Sequence, residues 1–233
     1  MLSHIKHLFF DLDHTLWDFD KNANESLNEL FFSYKFDDLF GHKTSDLFID
    51  TYSKINHSLW EDYHHGKIDK STLRELRFSR TFESLGVDPK LFPLSFEEDY
   101  LSLCPTKTNL LPFARETLEY LKGKYPLHLI TNGFKEAVAV KLKTSKLQPY
   151  FQSVVISEEL GVNKPDPKIF QYALDGARAA KQESVMIGDN PDADIAGASS
   201  YGMDTVYFNC KQSTPCRSAT LEISSLKELT QLL

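Results

Sequence analysis

The order of apolar segments predicts an α/β fold for this 233-residue chain. The expected architecture is a Rossmann-like parallel sheet with helices on both faces, plus a small all-α domain inserted after the first strand. Leu8–Phe10 is a short, continuous apolar run, which is typical of a strand buried on both faces. From Leu110 onward, short apolar runs alternate with segments of helical spacing, and this alternation favours parallel strands joined by helices. Residues 19–108 show helical spacing without a convincing strand.

Four helices are predicted in the inserted region. The first two cover Ala23–Tyr34 and Asp46–His64, where apolar side chains recur at intervals of three and four residues. The third begins after Ser71, taken as its N-cap, and ends at Gly86. The fourth covers Phe96–Leu103. The predicted domains are therefore 1–18 with 109–233, which form the α/β core, and 19–108, which form the helical insertion.

The core region is predicted to contain five strands, each a short apolar run. In chain order they are Leu8–Phe10, Leu127–Ile130, Ser153–Ile156, Ser184–Ile187 and Thr205–Phe208. Helices are expected after Pro112, between the second and third strands, over Pro167–Ala179 and through Ala198. The chain closes on a helix with Ser225 as N-cap, because Glu228 three residues later gives the spacing of a capping box.

Composition and charge argue against several classes of partner. The net charge is -7 and no long basic block is present, which disfavours binding to a nucleic acid polymer. No apolar segment approaches the length of a membrane span, and the N-terminus lacks a signal-peptide pattern, so a cytoplasmic protein is expected. The three cysteines lack the surrounding His or Cys cluster of a zinc site, and a disulfide is not expected. A monomer is the default expectation.

Polar and acidic residues follow three of the predicted strands at the point where each strand ends. They are Asp11 with Asp13, Thr131 with Asn132, and Gly188 with Asp189. The carboxyl ends of parallel strands meet at one edge of a sheet, where ligands bind in such folds. A buried carboxylate needs a partner, and magnesium suits several carboxylates at once because it favours oxygen ligands. Taken alone, Asp11 and Asp13 could instead cap backbone amides in a tight turn.

Four motifs in order carry a resemblance to a known superfamily. They are Asp11-Leu12-Asp13-His14-Thr15-Leu16, Thr131-Asn132-Gly133, Lys164-Pro165-Asp166-Pro167 and Gly188-Asp189-Asn190-Pro191-Asp192-Ala193-Asp194. From the first strand to about Phe208, they resemble the haloacid dehalogenase (HAD) superfamily of phosphohydrolases. The resemblance implies a magnesium-dependent phosphatase that hydrolyses a small phosphorylated metabolite. It also implies that the helical insertion is a C1-type cap domain.

The geometry expected at the sheet edge and the resemblance together suggest a role for each residue. Asp11 would be the nucleophile, Asp13 the general acid and then base, and Lys164 the cation beside the transferring phosphoryl group. Thr131 and the amides of Asn132 and Gly133 would bind phosphoryl oxygens. The expected metal ligands are Asp11, the backbone carbonyl of Asp13, and Asp189, with Asp194 acting indirectly or through water. Magnesium and Lys164 would offset the repulsion between these carboxylates and a phosphate.

Three alternatives remain open at this point. A 2-haloacid dehalogenase uses the same nucleophile without a metal, but typically lacks the second aspartate, here Asp13. A phosphomutase-type phosphotransferase would pass the phosphoryl group to a sugar phosphate. An inactive HAD-fold binding module would be expected to have lost one of the motif residues, and none is missing. Within the phosphatases, Thr15-Leu16-Trp17-Asp18-Phe19-Asp20 resembles the pyrimidine 5'-nucleotidase branch, which implies a nucleoside 5'-monophosphate substrate.

Overall fold

The computed structural model describes residues 2–40 and 44–233. The chain divides into two compact units. One unit combines Met1–Phe19 with Thr108–Leu233, and the other is Asp20–Lys107. The first unit holds the sheet, and the described part of the second is built from helices.

In the described residues, the sheet of the first unit has six strands, all parallel, in the order β3-β2-β1-β4-β5-β6. The strands are β1 His7–Phe10, β2 Leu127–Thr131, β3 Ser153–Ile156, β4 Ser184–Gly188, β5 Asp204–Phe208 and β6 Leu221–Ile223. The predicted α/β class with a parallel sheet is confirmed, and five strands begin and end within one residue of the predicted bounds. β6 was not predicted, because a three-residue edge strand with an exposed middle residue gives almost no apolar pattern.

The central strand β1 is buried on both faces, as its sequence predicts. Leu8, Phe9 and Phe10 have no exposed surface. Phe9 packs in a cluster with Ile130 of β2 and Met186 of β4. Burying a phenylalanine side chain contributes about 1.5–3 kcal/mol. This packing therefore fixes β1 firmly, and with it the residues that follow at its carboxyl end.

The second unit is an aromatic-rich helical bundle in the part that the structure describes. Its helices are α1 Phe19–Ser33, α2 Phe36–Phe40, α3 Ser45–His64, α4 Lys70–Ser84 and α5 Phe96–Leu103, with α1 beginning at the last residue of the first unit. Tyr52 of α3 stacks on Phe78 of α4 with ring centroids 4.9 Å apart. Phe36 contacts Phe82 and Phe96 at 5.2 and 5.1 Å. Such ring contacts add to the hydrophobic burial that stabilises a small bundle.

Two predicted helix starts in this unit are wrong. The first helix, α1, begins at Phe19, four residues before the predicted Ala23, and the start of α4 also differs. Asp69, not Ser71, is the N-cap of α4, and its carboxylate accepts a hydrogen bond of 2.8 Å from the amide of Thr72. The Ser71 hydroxyl donates to the same carboxylate. A carboxylate satisfies a helix N-terminus well because it also interacts with the helix dipole. Gly86 ends the helix with a φ of 73°, as predicted.

The remaining helices surround the sheet of the first unit. They are α6 Ala114–Lys122, α7 Lys135–Thr144, α8 Ser157–Leu160, α9 Pro167–Ala177, α10 Gly197–Tyr201 and α11 Leu229–Leu232, with a wide helical turn over Pro191–Ala196. The predicted capping box of Ser225 and Glu228 is present. None of the three cysteines is in a disulfide. Within the described residues, no helix is both long enough and apolar enough to cross a membrane.

Backbone hydrogen bonds join the two segments where the chain leaves the first unit and returns to it. The amide of Asp18 donates to the carbonyl of Asn109 at 3.1 Å. The amide of Leu111 donates to the carbonyl of Leu16 at 3.0 Å. Both ends of the insertion are thus fixed beside each other, close in sequence to the residues that follow β1.

Two stacked histidines lie on neighbouring strands of the sheet, and they predict a pH-dependent stability. His7 Nδ1 and His128 Nε2 are 3.2 Å apart, and His128 Nδ1 is 2.8 Å from the Ser153 hydroxyl. Burial, followed by the charge of His7, lowers the pKa of His128 to about 4. Because this folded-state pKa lies below the ordinary value of about 6.5, the stabilisation is complete above pH 6.5 and decreases as the pH falls towards 4.

We expect the free energy of unfolding to fall by on the order of 3 kcal/mol between pH 7 and pH 4 through this group. Urea unfolding of wild type and His128→Gln at pH 7, 5.5 and 4 measures the effect, and the variant should lose less stability over this range. His57→Gln is the matched control, since His57 is exposed on α3. Parallel pH profiles for wild type and His128→Gln would contradict the prediction.

Candidate active site

The first site residue is fixed by the sheet itself. Asp11 directly follows β1, and its amide donates to the carbonyl of Ile187 on β4 at 2.9 Å. The strand order reverses at β1, which has β2 on one side and β4 on the other, and ligands bind beyond the carboxyl end of a sheet at such a point. The Asp11 residue is only 7% exposed. Its carboxylate is therefore held in a largely desolvated position at the expected sheet edge.

Lys164 is buried among three oxygen atoms. Its Nζ lies 2.6 Å from Asp11 Oδ1, 2.6 Å from Asp194 Oδ1 and 2.7 Å from the carbonyl oxygen of Ile130. Burial acts to lower the pKa of Lys164, but the charges of Asp11 and Asp194 outweigh it and raise the pKa above its ordinary value. A fully buried lysine is rare without such partners. The ammonium is thus a fixed positive charge against the Asp11 carboxylate.

The loop that carries Lys164 is fixed by Asn132. The Asn132 side chain donates from Nδ2 to the carbonyl of Lys164 at 3.0 Å and accepts at Oδ1 from the amide of Lys164 at 2.9 Å. The sequence assigned Asn132 only a backbone role in phosphoryl binding. The hydrogen bonds of its side chain were not predicted, because they join two loops that lie 32 residues apart in the sequence. Asn132 therefore positions the backbone from which the catalytic lysine candidate extends.

Thr131 and Gly133 form a tight turn after β2. The Thr131 side-chain oxygen accepts from the amide of Gly133 at 3.1 Å. A Cβ at Gly133 would lie 2.9 Å from a methyl group of Val138 and 3.4 Å from Asp13 Oδ2. The turn thus has no room for a side chain at Gly133, and it lies directly beside the Asp13 carboxylate.

Three carboxylates form a cluster suited to a metal ion. One oxygen from each of Asp11, Asp189 and Asp194 lies within 4.8 Å of the others. Thr15 donates to Asp189 Oδ1 at 3.1 Å, a contact that the sequence did not predict. Asp194 Oδ1 accepts from Lys164, and its Oδ2 accepts from the amide of Asn190 at 3.1 Å. Both oxygens of Asp194 are thus engaged by protein donors, whereas Asp11 and Asp189 each have one oxygen that no described donor engages.

The electrostatics of the cluster favour a bound cation. The pKa of Asp11 is raised to about 7, because burial and, to a smaller extent, the charge of Asp194 raise it more than Lys164 lowers it. Burial and the charges of Asp11 and Asp194 raise the pKa of Asp189 well above its ordinary value. Burial therefore disfavours the charged forms of Asp11 and Asp189, and a bound cation would favour them. Oxygen donors in this arrangement fit a hard divalent cation such as magnesium.

Asp13 is paired with a second buried lysine that the sequence analysis missed. Lys141 of α7 places its Nζ 2.6 Å from Asp13 Oδ1 and 4.2 Å from the centroid of the Trp17 ring. The sequence feature that could have indicated its burial is its position on the apolar face of α7, beside Val138 and Leu142. A lysine in an apolar helical stripe needs an anionic partner. Periodicity shows that such a partner exists, but it does not say which carboxylate it is.

Residues 5–202 match the sequence model of the hydrolase family described as haloacid dehalogenase-like hydrolase. The chain belongs to this family. The HAD-like hydrolase is 35% identical to pyrimidine 5'-nucleotidase YjjG of Escherichia coli (strain K12), over 97% of this chain and 96% of that protein. It is 34% identical to pyrimidine 5'-nucleotidase PynA of Streptococcus pneumoniae (strain ATCC BAA-255 / R6), over 88% of this chain and 84% of that protein.

A solved structure resembles this HAD-like hydrolase along its whole length. The HAD-hydrolase YfnB of Bacillus subtilis, in a crystal form bound to magnesium, matches with a TM-score of 0.86 and 27% identity. The match covers 98% of each chain. Together with the family match and the nucleotidase relatives, it confirms the predicted superfamily, the fold class and the enzyme class of phosphoric monoester hydrolase.

Proposed function

We propose that this hydrolase is a magnesium-dependent phosphatase whose preferred substrate is a pyrimidine nucleoside 5'-monophosphate. The observation that carries the chemistry is the Asp11 carboxylate, which β1 and Lys164 fix at the sheet edge with the Asp189 carboxylate beside it. The names of the two nucleotidase relatives support the substrate class. The helical unit Asp20–Lys107 is the proposed C1-type cap of the family.

The proposed reaction has two steps that exchange one proton at Asp13. In the first, an Asp11 carboxylate oxygen attacks phosphorus while the ester bond breaks, and the departing alkoxide oxygen takes a proton from Asp13. In the second, Asp13 takes a proton from water as the water oxygen attacks the aspartyl-phosphate. The second step releases inorganic phosphate and restores both carboxyl groups, so no other reactant is needed.

Several groups would offset the negative charge of the substrate. Lys164 provides a fixed ammonium beside Asp11. The Thr131 hydroxyl and the amide of Asn132 are proposed to donate to the phosphoryl oxygens, and the Gly133 amide would join them by exchanging its contact with the Thr131 oxygen for one with the substrate. Magnesium, when bound, would supply two positive charges in the same place. Its proposed direct ligands are Asp11, the backbone carbonyl of Asp13, and Asp189. Asp194 would act through water, because both of its oxygens are engaged.

Phosphate release tests this function directly. We expect release from dUMP and dTMP in the presence of magnesium, slower release from sugar phosphates and phosphoglycolate, and loss of activity in chelator that returns when magnesium is added back. Uncatalysed phosphate-monoester hydrolysis is so slow that turnover would stand far above background. Asp11→Asn, which removes the nucleophile, should release no phosphate from any of them.

Other results would point to the alternative activities. Chloride release from 2-chloropropionate in chelator would favour a dehalogenase. Phosphoryl transfer to a sugar phosphate in place of water would favour a phosphomutase-type phosphotransferase. Equal rates with nucleotides and sugar phosphates would contradict the proposed nucleotide preference while leaving the phosphatase activity standing.

A further inference from the structure

Lys141 has no part in the reaction as described so far, although it lies against one of its reacting groups. The residue is 5% exposed and extends from α7 to Asp13 Oδ1, 2.6 Å away. Its ammonium also lies over the rings of Trp17 and Phe19, with centroids 4.2 and 5.5 Å away. The ammonium is thus contacted by a carboxylate and by aromatic rings that lie close in sequence to Asp11. Burying a lysine side chain costs desolvation free energy, which suggests that its position has a function at the site.

The pairing decides which oxygen of Asp13 faces the substrate region. Lys141 engages Oδ1. Asp13 Oδ2 lies on the side of Gly133, where a Cβ would come within 3.4 Å of it. Gly133 belongs to the turn that is proposed to bind the phosphoryl group. The contact with Lys141 therefore leaves the second oxygen of the Asp13 carboxyl on the side of the Thr131–Gly133 turn.

We infer that Lys141 is a positioning residue for the acid–base step, holding the Asp13 carboxyl with Oδ2 directed towards the Thr131–Gly133 turn. The terminal torsion of an aspartate is broad, so without a partner this carboxyl samples a wide range of orientations. A fixed orientation matters because a proton donor must lie within hydrogen-bond reach of the oxygen it serves. The inference rests on the proposed phosphatase function and on the role given there to Asp13.

Leaving-group dependence separates this role from a purely structural one. The p-nitrophenolate ion departs without a proton, whereas the alkoxide of a nucleoside 5'-monophosphate needs one. Misplacing Asp13 therefore slows the first step for the nucleotide but hardly for p-nitrophenyl phosphate. The second step, attack by water, needs Asp13 with either substrate and slows in both cases.

The experiment compares wild type with Lys141→Met by rapid mixing in magnesium-containing buffer. With p-nitrophenyl phosphate, the variant should release close to one equivalent of p-nitrophenolate at nearly the wild-type rate and then turn over at least ~10²-fold more slowly. With dUMP, the Lys141→Met variant should show no burst of deoxyuridine release, and its single-turnover rate should fall ~10²-fold or more relative to wild type. Lys141→Arg, which keeps the charge, should recover part of the steady-state rate with p-nitrophenyl phosphate and part of the single-turnover rate with dUMP.

The matched control is Lys143→Met, because Lys143 is exposed on the same helix and should leave both substrates unaffected. Equal loss with both substrates and no burst would show that Lys141 is only structural, and an unchanged dUMP rate would overturn the inference outright. If Lys141→Met does not fold, Lys141→Gln is measured by the same ratio between substrates. If wild type releases no phosphate from either compound, the proposed function itself fails and the inference fails with it.

Discussion

Lys164→Met is expected to lower kcat for phosphate release by roughly 10²–10³-fold and to destabilise the metal-free protein by about 3–5 kcal/mol. The ammonium contacts Asp11, Asp194 and the Ile130 carbonyl at 2.6–2.7 Å in a fully buried position. Methionine has a similar volume but no charge, so two buried carboxylates would lose their cation. Urea unfolding in chelator and steady-state phosphate release measure the two effects.

Magnesium should restore part of the lost stability of this variant, because a divalent ion would compensate the same carboxylates. The matched control is Lys168→Met, since Lys168 is exposed four residues later and should change neither quantity by much. Wild-type stability and turnover in Lys164→Met would show that the ion pairs contribute nothing to the site.

Gly188→Ala is the second substitution with a large expected effect. A Cβ at this last residue of β4 would lie 2.3 Å from Asp194 Oδ2 and 2.7 Å from its Cβ, so the Asp194 side chain would have to move. Asp194 holds Lys164, and a displacement of about 1 Å at a reacting site can cost ~10²-fold in rate. We expect a fall in kcat of that order and a loss of about 1–3 kcal/mol in stability from overpacking.

The same change at Gly176 is the control for Gly188→Ala. An alanine at Gly176 would meet no heavy atom within 4 Å, and it lies in α9, where alanine is the better helix former. Gly176→Ala should therefore keep full activity with equal or slightly higher stability. If Gly188→Ala were as active as Gly176→Ala, the position of Asp194 would be unimportant for catalysis.

The sequence predicts well those features that depend on neighbouring residues. The apolar run before Asp11 is enough to place a buried strand there, and parallel pairing then brings Asp11 and Asp189 to the same sheet edge. Family resemblance added Lys164, whose surroundings the local sequence does not describe. These predictions succeed because burial on both faces and parallel topology leave few arrangements open.

Contacts between distant loops could not be predicted in the same way. The Asn132 side chain holds the backbone of Lys164 across 32 residues, and Lys141 reaches Asp13 across 128. Helical periodicity indicates that Lys141 is buried, but its pairing with a particular carboxylate depends on how α7 packs in the folded protein. That packing cannot be predicted from the local pattern of a single sequence.

The hydrogen bonds that join Asp18 to Asn109 and Leu16 to Leu111 have a consequence for the modularity of this enzyme. The inserted helices form a long loop whose two ends the sheet-bearing unit already holds together. The entropic cost of closing a loop increases only slowly with the number of residues in it, so the length of the inserted segment has little effect on this cost. Insertions are tolerated at sites where the two ends of the inserted segment lie close together. We therefore expect that natural variation or engineering can exchange the whole insert while β1, and the Asp11 that directly follows it, keep their place.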